Sequence, residues 1–213
     1  MSNESIIWNY LKSKGFTDIA VAGIMGNLYA ESGLLPNNLQ NNYEAVLGMN
    51  DTQYTNAVDN GSYTNFVNDA AGYGLAQWTF WSRKQGLLTL AIQRGKSVGD
   101  LMLQLDFLYS ELNEFNLTEK LNRNGTVKDA SNIMLFEFEK PYDTGTVVQN
   151  ARAKYSQDFY NQFHGTQPEP VSVNNGNYCV LALKKCNSRK EAENLNINLM
   201  NDGFQTFVTT LEF

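Results

Sequence analysis

The chain has 213 residues, of which 42% are hydrophobic and 18% charged, a composition typical of a folded globular protein. Its formal net charge is −6 and no basic run is longer than Lys184-Lys185, so we expect no nucleic-acid partner. The sequence has neither an apolar stretch of about 20 residues nor a basic and then apolar start, so we expect no membrane segment and no signal peptide.

Cysteine and histidine, which often build reactive or metal sites, are scarce. Cys179 and Cys186 are the only cysteines, and His164 is the single histidine. Without a His/Cys cluster a zinc hydrolase is not expected, and we predict neither a metal nor a cofactor. His164 is expected to end a helix rather than to serve a Ser-His-Asp triad.

The spacing of apolar residues and caps predicts a mainly helical domain. The first helix covers residues 5–14, and the second follows from Thr17 or Asp18 to Gly33. Residues 36–72 are rich in Asn and Asp, which indicates a small loop or hairpin lobe with one short helix, Asp51 to Val58. Further helices are predicted over residues 80–94, 98–115, 127–139 and 146–163. Gly95 is predicted to end the helix over residues 80–94. Ser97 with Asp100 is predicted to open the helix over residues 98–115, and Thr126 with Asp129 the helix over residues 127–139, which Pro141 stops.

Glu31, in the last turn of the second helix, is the most informative residue of the chain. Free carbonyls, the negative end of the helix dipole and nearby leucines all disfavour a charged carboxylate at that position. A glutamic acid that keeps its proton is what protonation of a glycosidic oxygen requires. The same helix has a predicted close-packing face, which consists of Ile19, Ala22, Gly23 and Gly26.

A second segment, Gly72-Tyr-Gly-Leu-Ala-Gln-Trp-Thr79, combines closely spaced glycines with one amide and two aromatic rings. Such glycines let the backbone approach a ligand, and an aromatic ring beside a Gln is a common way to hold a sugar. With Gly26-Asn27 and Ala30-Glu31-Ser32-Gly33, this segment resembles the phage tail-type lysozyme family, within the wider lysozyme and lytic transglycosylase group. The resemblance covers roughly residues 4–163.

The resemblance implies a lysozyme-like fold whose cleft lies between the small lobe and the helices. It implies cleavage of peptidoglycan between N-acetylmuramic acid and N-acetylglucosamine, with Glu31 as the general acid. A Glu-x-Pro helix end faces the cleft in that family, so Glu139 is a candidate for orienting the substrate or Glu31. The expected substrate-binding residues are therefore Ser32, Tyr73, Gln77, Trp78 and Glu139.

The second catalytic carboxylate stays unassigned. Conventional animal lysozymes have an Asp directly before the Tyr-Gly-x-x-Gln run, and this chain has Gly72 there. The departure resembles goose-type lysozymes and soluble lytic transglycosylases, in which one Glu dominates. The alternatives to a muramidase are thus a lytic transglycosylase with anhydro products, or a non-catalytic wall-binding phage protein. The candidates for a second acid are Glu44, Asp51, Asp59 and Asp69.

Residues 1–164 are predicted to be the catalytic domain, and residues 165–176, with two prolines, a linker. Residues 177–213 have a strand-helix-strand pattern that resembles half of a SPOR-type peptidoglycan-binding repeat. The expected fold class is therefore α+β, with a β-α-β unit after the helical domain. Two strands leave open sheet edges, so this unit could bind the wall or form a homodimer. We expect a phage or prophage protein that reaches the wall after release or within a virion.

Overall fold

The computed structural model describes residues 2–165, and the predicted β-α-β unit and most of the predicted linker lie outside these residues. The helices are α1 (Asn3–Ser13), α2 (Asp18–Ser32), α3 (Asn41–Leu47), α4 (Asp51–Asp59), α5 (Trp81–Arg94), α6 (Leu101–Glu114), α7 (Leu117–Asn122), α8 (Val127–Ile133) and α9 (Thr146–Phe163). A π-helical turn, Met134–Glu139, follows α8 directly. None of the helices within residues 2–165 is both long and apolar enough to cross a bilayer.

Local capping chemistry places the ends of α2 as the sequence predicted. The Thr17 side chain accepts a hydrogen bond from the backbone N–H of Ala20, and Gly33 closes the helix in a left-handed conformation with φ of 62°. The bounds of α9 agree with the predicted range of 146–163, and His164 is its C-terminal cap residue. These predictions are confirmed.

The start of α6 is a correction. The helix begins at Leu101, because the side chain of Asp100, and not that of Ser97, accepts a hydrogen bond from the third backbone N–H of the helix. Val98 is held outside the helix instead: its N–H donates to Asp59 at 2.8 Å, and its carbonyl accepts from Gln104 at 2.7 Å.

Helices α3 and α7 were not predicted. Among the residues of α3 none is buried and its N-terminus has no side-chain cap, so it carries no amphipathic signal. The predicted helix over residues 127–139 is also two elements, since the winding widens to a π-helical turn after Ile133. Such turns are often found at functional sites.

Helix α2 is the centre of the core, and residues 20–28 are buried along its whole circumference. Two glycines let neighbouring helices come unusually close. A Cβ on Gly26 would lie 2.5 Å from the backbone nitrogen of Ser156 in α9, and one on Gly23 would lie 2.7 Å from the Cβ of Ala130 in α8. This confirms the predicted close-packing face at these two residues, and it brings α9 alongside the end of α2.

The small lobe was predicted over residues 36–72, and in the structure residues 36–80 consist of α3, α4 and turns. The β structure within residues 2–165 is limited to isolated bridges that pair Tyr73 with Leu39 and with Trp78. The described part is thus mainly helical, and the lobe is a helix-and-loop lobe rather than a hairpin. Tyr54, Phe66 and Tyr73 form its core, with ring centroids 5.4–6.0 Å apart.

Candidate active site

Glu31 lies at the edge of an open cleft between α2 and the lobe. Its side chain is 19% exposed. The cleft has a volume of about 170 Å³, and every other lining residue carries an uncharged amide. These residues are Asn38, Gln40, Asn41, Asn42 and Gln77. The structure therefore presents one carboxyl group to a surface of hydrogen-bonding amides, and it brings Glu31 and Gln77 into the same cleft.

Arg152 of α9 holds the Glu31 side chain. Its Nη2 donates to Oε1 of Glu31 at 2.5 Å, and its Nη1 donates to Oδ1 of Asn27 at 3.2 Å. Asn27 is itself fixed, because its Nδ2 donates to the carbonyls of Gly23 and Ser131, both at 3.0 Å. Residues of α2, α8 and α9 thus hold the Arg152 guanidinium against the Glu31 side chain. The sequence had indicated only apolar neighbours for Glu31.

Glu139 ends the π-helical turn and faces the same group of charges. Its Oε1 is buried and has no hydrogen-bond partner among residues 2–165. Burial raises the pKa of Glu139 well above its ordinary value, and the Glu31 carboxylate raises it further, whereas Arg83 and Arg152 oppose the rise. Burial and the neighbouring Glu31 charge thus both favour the protonated form of Glu139.

The raised pKa of Glu139 makes a pH-dependent contribution to stability. Because its folded-state pKa lies above the ~4.3 of a free Glu, this contribution is fully present below that pH and is lost as the pH rises through the folded-state value. Glu139→Gln keeps the shape without titrating. We expect the melting temperature of the variant, relative to that of the parent, to rise between pH 5 and pH 8. Calorimetry at both pH values tests this.

Glu137→Gln is the matched control, because Glu137 lies in the same turn, is partly exposed and pairs with Lys120. A pH trend of the same size in this variant would show that the trend does not come from the buried Oε1 of Glu139. A Glu139→Gln difference that stays constant from pH 5 to pH 8 would contradict a raised pKa of Glu139.

Gln77 is the residue of the Gly72–Thr79 segment that reaches the cleft. Its backbone has a φ of 43°, a left-handed conformation that is uncommon for a residue with a side chain. Its Nε2 donates to Oδ1 of Asn38 at 2.9 Å and to the Asn38 carbonyl at 3.1 Å. A Cβ on Gly72 would lie 2.8 Å from Oε1 of Gln77, so the glycine makes room for this amide.

Three residues predicted to bind substrate are buried, and this corrects their expected position. Tyr73 and Trp78 are both 0% exposed, and the Tyr73 hydroxyl lies 2.6 Å from Oγ1 of Thr55. Trp78 donates from Nε1 to Glu111 at 2.8 Å. The Ser32 hydroxyl, also buried, donates to the carbonyl of Leu75 at 2.9 Å. These side chains position the segment, since its tight turn directs the large rings into the core.

Gln104 of α6 is a positioning residue that sequence reasoning missed. Its Oε1 accepts from the N–H of Leu75 at 2.9 Å, and its Nε2 donates to the carbonyl of Pro36 at 2.6 Å. Its amide comes within 2.7 Å of where a Cβ on Gly74 would lie, so only a glycine fits there. A Gln within an amphipathic helix carries no sequence signal that would indicate such a positioning role.

The candidates for a second carboxylate mostly have other partners. Asp69 is buried in an ion pair with Lys84. Asp51 and Asp59 each accept a hydrogen bond from a backbone N–H at 2.8 Å. Glu44 lies on α3, near the cleft but not among its lining residues. Within residues 2–165, Glu31 is thus the acid that lines the cleft. The same residues contain no group of three or more His, Cys, Asp or Glu that could hold a metal ion.

A comparison with known protein families places most of this chain in one family model. Residues 2–163 match the family model described as "Phage tail lysozyme". The match spans more than half of the chain and almost all of the described residues, including Glu31, Gln77, Glu139 and Arg152.

Proposed function

The chain belongs to the phage tail lysozyme family, and on that premise we propose that it cleaves the glycan strands of peptidoglycan with Glu31 as the general acid. The observation that carries the proposal is the cleft itself, in which one acid is surrounded by five uncharged amides. Asn and Gln side chains donate and accept hydrogen bonds, which suits the hydroxyl and N-acetyl groups of an amino sugar.

In the proposed reaction, Glu31 donates its proton to the oxygen of the bond between N-acetylmuramic acid and N-acetylglucosamine. The bond from that oxygen to C1 of the muramic acid breaks, and the leaving sugar departs with a free 4-hydroxyl. C1 is left with oxocarbenium character. Arg152 then stabilises the Glu31 carboxylate that remains, because its guanidinium is already bound to Oε1.

The group that attacks C1 decides the product. Attack by water, whose proton passes to Glu31, gives hydrolysis and defines a muramidase. Attack by the 6-hydroxyl of the same muramic acid, with the same proton acceptor, gives an anhydro sugar and defines a lytic transglycosylase. Neither route needs a protein nucleophile. The transglycosylase route is the second candidate because, within residues 2–165, the cleft is lined by a single acidic residue, Glu31.

Mass spectrometry of the muropeptides released from defined peptidoglycan separates these routes. Hydrolysis yields fragments with a reducing muramic acid, and transglycosylation yields fragments lighter by one water. We expect fragments of one of these two kinds, cut at the muramic acid. Release of peptide fragments alone, with uncut glycan, would contradict the proposed glycosidase.

Glu139 has a supporting part in this proposal. Its Oε1 is buried, and the charge of Glu31 affects its pKa. We therefore assign Glu139 to the environment of Glu31 and not to substrate binding. Gln77 remains the proposed sugar-binding residue of its segment. We propose that the enzyme acts on the bacterial wall as an endolysin or as a tail-associated lysin.

A further inference from the structure

A second groove lies on the outer face of the domain, between α5 and α6. We name it the α5/α6 groove. It has a volume of about 490 Å³, larger than the cleft at Glu31, and its nine lining residues include no charged side chain. At one end lies Trp81, the first residue of α5.

Aromatic rings and uncharged hydrogen-bonding side chains both line this groove. The Trp81 side chain is 59% exposed, and the Phe80 ring beside it, 63% exposed, lies 6.1 Å away. Phe107 forms part of the lining from α6, and it fits because a Cβ on Gly86 would lie only 3.0 Å from its ring. The polar lining residues are Ser82, Gln85, Thr89, Gln93 and Ser110.

This chemistry suits a neutral carbohydrate. An indole offers a flat apolar face to the C–H groups of a pyranose, and amides and hydroxyls match its hydroxyl and N-acetyl groups. A nucleic acid or an acidic peptide would instead require cationic side chains, and none lines the groove.

The groove also begins close to the proposed active cleft. Gln77 lines the cleft and Trp81 lines the groove, and the two residues are only four positions apart along the chain. An extended chain spans at most ~3.6 Å per residue, so their Cα atoms lie within about 15 Å of each other. A glycan strand held at Gln77 is therefore long enough to reach Trp81.

We infer that the α5/α6 groove is a second binding site for the peptidoglycan glycan strand, with Trp81 as its stacking platform. The inference rests on the proposed function, because it takes the same polymer as its ligand. The groove holds a part of the strand that is not being cut, so it contributes affinity and not chemistry.

Tryptophan fluorescence of a Glu31→Gln protein, which does not consume the ligand, tests this inference. Trp8 and Trp78 are 1% and 0% exposed, so Trp81 is the tryptophan whose emission should respond to a surface ligand. Peptide-free peptidoglycan glycan strands should change the emission in a saturable way. Adding Trp81→Phe should remove that signal, and Trp81→Ala should weaken binding about tenfold in a pull-down with insoluble glycan.

Ile92→Ala is the matched control, since it removes an exposed apolar side chain of α5 that does not line the groove. It should bind like the parent. In the active protein, Trp81→Ala should raise the half-saturating wall concentration and leave the maximal rate unchanged.

Unchanged emission with glycan strands, or equal binding by the Trp81→Ala protein, would overturn the groove assignment while leaving cleavage by Glu31 intact. A Trp81→Ala effect on self-association alone, seen by light scattering, would make the groove a protein-binding surface and would also overturn it. A parent protein that cuts no glycan would instead be a failure of the proposed function.

Discussion

Glu31→Gln should lower the rate of wall clearing by roughly a thousandfold, the size of effect expected for loss of a general acid. The amide has the same shape and can still accept a hydrogen bond from Arg152, but it has no proton to give to a glycosidic oxygen. We expect an intact fold, because the side chain lies at the cleft rather than in the core. Initial rates of turbidity loss of purified Gram-positive walls, with circular dichroism of both proteins, measure this.

Glu44→Gln is the control for this result. Glu44 lies on α3, near the cleft, and is the second-carboxylate candidate to which no structural partner is assigned. We expect it to retain most of the activity. If Glu44→Gln is as inactive as Glu31→Gln, a mechanism with two carboxylates replaces the one proposed, and if Glu31→Gln keeps a tenth of the parent rate, Glu31 is not the acid.

Lys84→Met should have the largest effect on stability. Lys84 is 0% exposed and its Nζ contacts the carboxylate of Asp69, which is also buried. Burial lowers the pKa of Lys84, and Asp69 opposes this, so the cation depends on its partner. Removing one member of a buried ion pair typically costs about 3–5 kcal/mol, because the other charge stays buried without compensation. Urea unfolding followed by circular dichroism measures the loss.

A double variant separates the ion pair from simple packing. Asp69 also accepts hydrogen bonds from the hydroxyls of Tyr54 at 2.6 Å and Tyr63 at 2.9 Å. Adding Asp69→Asn to Lys84→Met removes the uncompensated charge and keeps an acceptor for these hydroxyls. We expect it to regain part of the lost stability. A double variant less stable than Lys84→Met would show that the charge is not the cause.

The ion pair between Lys84 and Asp69 also matters for function, because it connects the small lobe to α5. Asp69 belongs to the lobe that carries the amides of the cleft, and Lys84 belongs to α5. We therefore expect Lys84→Met to lose wall-clearing activity at a lower temperature than the parent does, in step with its unfolding.

The parts of the fold that could be predicted are those that depend on neighbours in sequence. Thr17, Gly33 and Thr126 act on backbone groups a few residues away, so the ends of α2 and the start of α8 follow from the sequence. Gly23 and Gly26 indicate close packing in the same way. These local signals were also enough to predict that Glu31 lies at the end of α2.

The parts that could not be predicted depend on distant contacts. Arg152 is 121 residues from Glu31 in sequence, and no local pattern indicates that the two side chains meet. The same holds for the raised pKa of Glu139, which depends on burial and on the charge of Glu31, a residue distant in sequence. Tyr73 and Trp78 were predicted to face a sugar because the sequence shows which rings are present and not which way a turn directs them.

The most direct test of the central claim uses peptidoglycan glycan strands from which all peptides have been removed. Such strands contain no bond that an amidase or a peptidase can cut, and a wall-binding protein leaves them intact. Size-exclusion chromatography after incubation should show that the parent protein shortens them and that the Glu31→Gln protein does not. Strands that keep their length in the presence of the parent protein, while whole walls are still cleared, would contradict glycan cleavage by Glu31.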